Sequence, residues 1–133
     1  MWRLSTPATG FLGFALLAAS TLRGVASAER KAVAPRYMRV TVAHWNIDLD
    51  SDEAARIFRQ IGTEGVAVFR AQPGFVRYRL MRADGATTVA VAEWESAALG
   101  QAGAQKYRDW MRRAGIMDRI TLETRAGEIV VGS

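Results

Sequence analysis

Between residues 72 and 96 the chain reads QPGFVRYRLMRADGATTVAVAEWES, and this stretch limits its folding options more than any other. A Pro73-Gly74 turn opens an alternating run over 75–82, Ala83-Asp84-Gly85 reverses the chain, and a second strand-like run over 87–95 closes at Trp94-Glu95-Ser96. Asp-Gly between two such runs is a hairpin signal, because glycine supplies the positive φ that a tight turn needs. In the first strand Val76, Tyr78 and Leu80 share one face, while Phe75, Arg77, Arg79 and Met81 share the other. In the second, Val89, Val91 and Glu93 alternate with Thr88, Ala90, Ala92 and Trp94. Small residues beside a tryptophan leave room either for a ligand or for a helix packed close to the sheet.

The flanking segments supply partners for this hairpin. Residues 38–49 (MRVTVAHWNIDL) alternate and are rich in β-branched side chains, with Met38, Val40, Val42 and His44 on one face. Thr41, Ala43, Trp45, Ile47 and Leu49 lie on the other, and with both faces largely apolar the strand is expected to be covered on both sides. Asp50 and Glu53 read as an N-cap and its reciprocal acid, opening a helix with Ala54, Ile57, Phe58 and Ile61 at helical spacing. Gly62 and Gly65 interrupt that pattern, and residues 66–71 give a further turn before Pro73. Ser96 caps a second helix over 97–114, stopped by Gly115, in which Gly100 and Gly103 each lower the propensity by about 1 kcal/mol. Residues 120–124 and 128–131 read as closing strands on either side of Ala126-Gly127.

Composition removes several function classes. The chain of 133 residues has no cysteine, so disulfides and thiolate metal sites are out, and its single histidine rules out a multi-histidine metal site within one chain. The net charge of +5 is concentrated near the N-terminus: residues 1–28 hold two arginines and no acid, and from Met38 onward 13 bases face 12 acids. A domain that close to neutral lacks the basic face that phosphate backbones require, so no nucleic-acid partner is expected.

Residues 1–36 differ from the rest. Arg3 precedes an apolar run over 11–19 (FLGFALLAA), and Val25-Ala26-Ser27-Ala28 offers a small-residue cleavage site, the layout of a secretory signal peptide over 1–28. The alternative is a true start at Met38, with a cytoplasmic protein. The apolar run falls short of the roughly 20 residues of a bilayer span, so no stable membrane span is expected. Residues 29–36 read as a linker, and 37–133 as the folded domain.

The order β-α-β-β-α-β is that of a ferredoxin-like α+β sandwich, with two helices on one face of an antiparallel sheet. The second face, carrying the apolar side of the first strand with Phe75, Met81 and either Val91 or Trp94, is too apolar to be left to solvent. A second copy packed sheet to sheet covers it, so a homodimer is expected.

PGFVRYRLMR, the hairpin, TTVAVAEWES leading into the second helix, and the closing AGEIVVGS together resemble the antibiotic biosynthesis monooxygenase domain family, across residues 36–133. The resemblance implies a dimeric α+β barrel built from ferredoxin-like halves, with a cavity between sheet and helices in each. It implies cofactor-free oxidation of an aromatic or quinol-like compound by dioxygen, needing apolar walls, polar anchors and a base. Heme-opening members carry a histidine on the second helix about ten residues after the WES tryptophan. Here that position is Ala104 and the helix has no histidine, so heme ligation is unsupported unless His44 substitutes.

On this resemblance Trp94 borders the cavity; as a residue type it serves equally as a core aromatic holding strand to helix. His44, which alone titrates near neutrality without help, is the candidate base, or else a solvated residue at a strand end. Asn46 and the adjacent Trp45 are candidates for contacting dioxygen or a substrate hydroxyl, although such an asparagine also satisfies local backbone. Tyr78 offers an anchoring phenol or a core ring, and Arg77 a partner for a substrate anion or for an acid across the dimer. The alternative to catalysis is a homodimer that binds a small apolar or aromatic ligand, or a purely structural member of the fold. Export predicts a mature chain beginning at Glu29 by intact mass; a native mass matching a start at Met1 or Met38 excludes cleavage after Ala28.

Overall fold

The computed structural model describes residues 36–133, so the leader expected over 1–28 and the linker up to residue 35 lie outside the described residues. Strand β1 (Tyr37–Trp45) leads into helix α1 (Asp52–Gln60), a π-helical turn (Ile61–Gly65) and helix α2 (Val66–Arg70). The hairpin β2 (Phe75–Arg82) and β3 (Thr87–Trp94) follows, then α3 (Ala97–Arg113), a 3-10 turn (Met117–Arg119) and β4 (Ile120–Glu128). The strands form one antiparallel sheet in the order β2-β3-β1-β4, the ferredoxin-like arrangement that the element order implies.

Local chemistry sets most boundaries. Gly85 takes φ +61° at the hairpin turn, which a residue with a Cβ adopts only at a cost. The Ser96 hydroxyl accepts from the Leu99 amide at 3.2 Å and starts α3. At α1 the cap is Ser51, which accepts from the Ala54 amide at 3.2 Å, and not Asp50, whose carboxylate instead receives Arg82 at 2.9 Å. β1 ends at Trp45, and the buried Leu49 reaches the core from the turn beyond it. Gly62 and Gly65 do not break the helix, because the widened π turn carries the backbone through them. One strand closes the sheet, paired along all of β1: it runs through Ala126-Gly127 without a break and ends at Glu128, so the second piece expected over 128–131 is not a strand.

A β-bulge between Phe75 and Arg77 corrects the face assigned to Phe75. The extra residue reverses the alternation, so Phe75 packs on the helix side against Phe69 and Trp94 while Arg77, Arg79 and Met81 stay on the outer face. Trp94 also faces the helices, which leaves Val91 as the outer-face residue of the pair.

The core explains the two glycines in α3. Trp94 is fully buried, with its six-membered ring against Gly103 and its five-membered ring near Gly100. A Cβ at Gly103 would stand 2.9 Å from Cζ2 of that ring and closer still to Cη2 and Cζ3; a Cβ at Gly100 would stand 2.6 Å from Cε1 of Tyr37. The lost helix propensity is what allows helix backbone and indole to touch. Gly103→Ala therefore lowers stability by about 1–3 kcal/mol through overpacking, although alanine is the better helix former. Gly62→Ala, where a Cβ meets nothing within 4 Å, raises stability by up to about 1 kcal/mol. Urea unfolding midpoints at constant slope measure both signs, and a Gly103→Ala protein as stable as wild type contradicts this packing.

Candidate functional site

Beyond the Trp94 contact the sheet and α3 enclose a cavity of about 90 Å³. The sheet supplies a floor of small residues, Ala43 from β1 with Thr88, Ala90 and Ala92 from β3, so the alternating small side chains of the hairpin do leave space. Phe69 of α2 and Tyr107 of α3 form the roof, stacked with centroids 4.2 Å apart and planes 16° from parallel. Tyr78 closes one side with its ring 4.6 Å from Phe69, and Trp45 closes another. The mouth is marked by half-buried residues, Arg39 and Thr41 on β1, Leu122 and Thr124 on the edge strand β4, and Arg108 on α3.

The polar groups inside are few and mostly hydroxyls. The Trp45 indole N–H donates to the Thr88 hydroxyl at 2.9 Å, and Thr88 is almost completely buried. That bond uses Thr88 as an acceptor and leaves its own proton free for an acceptor in the cavity. The Tyr78 and Tyr107 hydroxyls lie 3.5 Å apart, so one donates to the other and one proton remains uncommitted. Burial raises the Tyr78 phenol above its ordinary range, partly opposed by the bond to Tyr107. Burial, followed by the charge and hydrogen-bond effects of Tyr78, drives Tyr107 far higher. At neutral pH both are donors. Among the described residues no carboxylate or imidazole lines the cavity, and no group of three or more Asp, Glu or His sits where it would hold a metal ion.

Of the residues singled out from sequence, Tyr78 and Trp45 line this cavity and the others lie elsewhere. Trp94, 0% exposed, sits deeper, and its indole nitrogen has no hydrogen-bond partner among the described residues, a cost of about 1–3 kcal/mol that burial of the ring offsets. His44 is on the opposite face of the sheet with its side chain 51% exposed, Nε2 3.9 Å from Glu123 and Nδ1 3.4 Å from the Thr87 hydroxyl. Asn46 ties the end of β1 to the 3-10 turn, donating to the Asp118 carbonyl at 2.9 Å. Arg77 pairs with Glu93 of its own chain at 2.5 Å on the outer face. Arg39, Thr88, Tyr107 and Arg108 belong to the cavity and had not been singled out as site residues. The floor was legible in the Thr88-x-Ala90-x-Ala92 alternation, and Tyr107 and Arg108 follow Ala104 at helical spacing; Arg39 carried no local signal.

No family model matches the chain, and no curated protein does either. Solved structures do. SnoaB, a cofactor-independent oxygenase from Streptomyces nogalater, is similar at 19% identity and TM-score 0.58, over 74% of this chain and 97% of that one. HapK from Hahella chejuensis is similar at 15% identity and TM-score 0.59, over 73% and 95%. A dimeric ferredoxin-like protein from an uncultured marine organism matches at 14% identity and TM-score 0.54, over 75% and 100%. At these identities the likeness establishes the fold, a ferredoxin-like α+β architecture.

The tyrosine pair gives the fold an alkaline limit. Unfolded tyrosines ionise near about pH 10, whereas Tyr78 and Tyr107 ionise later in the folded chain. Their stabilising contribution is thus complete below about pH 10 and is lost as pH rises toward the folded-state values. Tyr107→Phe removes one ionising group and raises the pH midpoint of alkaline unfolding, followed by circular dichroism alongside phenolate absorbance. If every phenol titrates near pH 10 in a fold that remains cooperative, the burial argument fails.

Proposed function

We propose that the cavity takes a single hydroxylated aromatic ring and that the chain is a cofactor-independent monooxygenase of the antibiotic biosynthesis monooxygenase type. The observation that carries this reading is the enclosed, aromatic-walled space with hydroxyl donors and no acceptor base. A cavity of roughly 150 Å³ accommodates benzene, so about 90 Å³ suits one ring once the half-buried side chains at the mouth swing outward. The fold shared with a cofactor-independent oxygenase supports the choice of reaction.

In this reading solvent at the mouth removes the acidic proton, and the developing oxyanion is met by the Thr88 hydroxyl and the uncommitted tyrosine O–H. Donors held in a water-poor site stabilise such an anion far more than water does. The anion gives one electron to dioxygen, the radical pair joins in a C–O bond at a ring carbon that bears hydrogen, solvent returns a proton to the peroxide, and loss of water from that hydroperoxide leaves a carbonyl. His44 takes no part in this scheme, since it lies across the sheet. The absence of a lining base favours a second reading, a ligand-binding domain that does no chemistry.

The homodimer belongs to the same proposal. Met38, Val40, Val42, Val89 and Val91 form a half-buried apolar strip on the outer face, and dimeric ferredoxin-like proteins share the fold. Among the described residues no helix is long and apolar enough to cross a membrane. Oxygen uptake with a panel of single-ring quinols and catechols tests the whole. Wild type and His44→Ala consume oxygen alike with at least one compound, and Ala92→Leu, which fills the cavity, abolishes uptake while still melting cooperatively. Ring binding without uptake selects the second reading, uptake lost only in His44→Ala overturns the scheme, and a monomer by sedimentation overturns the dimer.

A further inference from the structure

We propose that Arg39 and Arg108 form a carboxylate-recognition site at the mouth of the cavity, so that the preferred ring carries an acid group opposite its hydroxyl. This rests on the reading of the cavity as a site for one aromatic ring.

The two guanidinium groups reach the mouth from different elements. Alternation along β1 puts Arg39 on the cavity face with Thr41, and its register neighbours there, Ala92 on β3 and Ala126 on β4, are too small to obstruct it. Arg108 lies one helical turn after Ala104 and three residues before Met111, and both of those also line the cavity. Both arginines are half-buried, which strips part of the water from their charges.

Neither has a counter-ion among the described residues. His44, Arg77, Arg82, Arg112 and Arg119 each stand within ion-pair distance of a carboxylate; Arg56, Arg59, Arg70, Arg79, Arg113 and Arg125 do not but are exposed, whereas Arg39 and Arg108 are unpaired and half-buried. Arg39 donates to the Tyr37 hydroxyl at 3.3 Å and Arg108 to the Gln105 side-chain oxygen at 2.7 Å, both neutral acceptors. Each guanidinium carries five N–H donors, so most of them are uncommitted. With no acid in the lining, the mouth holds two positive charges and no negative one. Half-desolvated like charges are unfavourable until an anion joins them. A carboxylate is flat, singly charged and matched to the planar guanidinium fork, and it fits beside a ring in a small cavity. A ring hydroxyl would then point inward, toward Thr88 and the tyrosine pair.

Calorimetric titration of the full chain with para-hydroxybenzoate, its methyl ester and phenyl phosphate tests this. Wild type binds the acid at least about tenfold more tightly than the ester at low salt, and added salt shrinks the difference. Arg39→Gln and Arg108→Gln, checked for folding by circular dichroism, each bring the acid-to-ester ratio toward one, and Arg39→Lys recovers part of it. Equal affinity for acid and ester, an advantage that survives in the double Gln variant, or tighter binding of phenyl phosphate overturns the carboxylate site while leaving the ring-binding reading in place. Failure of both acid and ester to bind overturns the two together.

Discussion

The contact on which the rest of the structure depends is that of the Trp94 indole with the backbone of α3 at Gly100 and Gly103. An indole lying directly against a helix is possible only where the helix has no Cβ, so two poor helix formers three residues apart, on one face of α3, become the fulcrum of the packing. The ring brings a large apolar area to the end of β3, and Phe69 and Phe75 pack edge-on against it. Helix and sheet are thereby held close at one end and separate beyond it. The cavity lies beyond the fulcrum, over the small residues of β1 and β3, and it stays open because Tyr107 and Phe69 stack on each other above the alanines instead of filling the space between them.

The polar groups of that space are arranged for a ligand that accepts hydrogen bonds. Trp45 commits its N–H to Thr88, the two tyrosines commit one proton between them, and burial keeps both phenols neutral. What remains are hydroxyl protons inside and positive charge at the mouth, with no carboxylate among the described residues of the lining to answer either. Such an inventory fits an oxyanion or a carboxylate much better than a cation or an apolar gas, and it separates binding from proton abstraction, for which the lining provides no group.

The two faces of the sheet have different work. The inner face builds the cavity. The outer face carries an apolar strip edged by charged side chains, including the Arg77–Glu93 pair and His44 beside Glu123. The single histidine and Arg77 therefore stand on the side away from the cavity, although their residue types were the ones that chemistry would first pick out.

The sequence by itself determined the element order, the hairpin and its Asp84-Gly85 turn, the Ser96 cap and the presence of small residues beside Trp94. These are local features, set by backbone preference and by alternation within a few residues. Tyr78, for its phenol, and Trp45, beside Asn46 near the end of the first strand, were also among the candidate site residues. Tertiary structure decided the rest. A bulge at Phe75 turned that ring inward, since one extra residue reverses every side chain before it. The glycines of α3 read as weaknesses until the indole was seen against them. Arg39 and Arg108 are far apart in the chain and ordinary in their local sequence; only the packing of α3 over β1 brings their charges to one opening, because alternation defines two faces of a strand but does not say which of them a helix will cover.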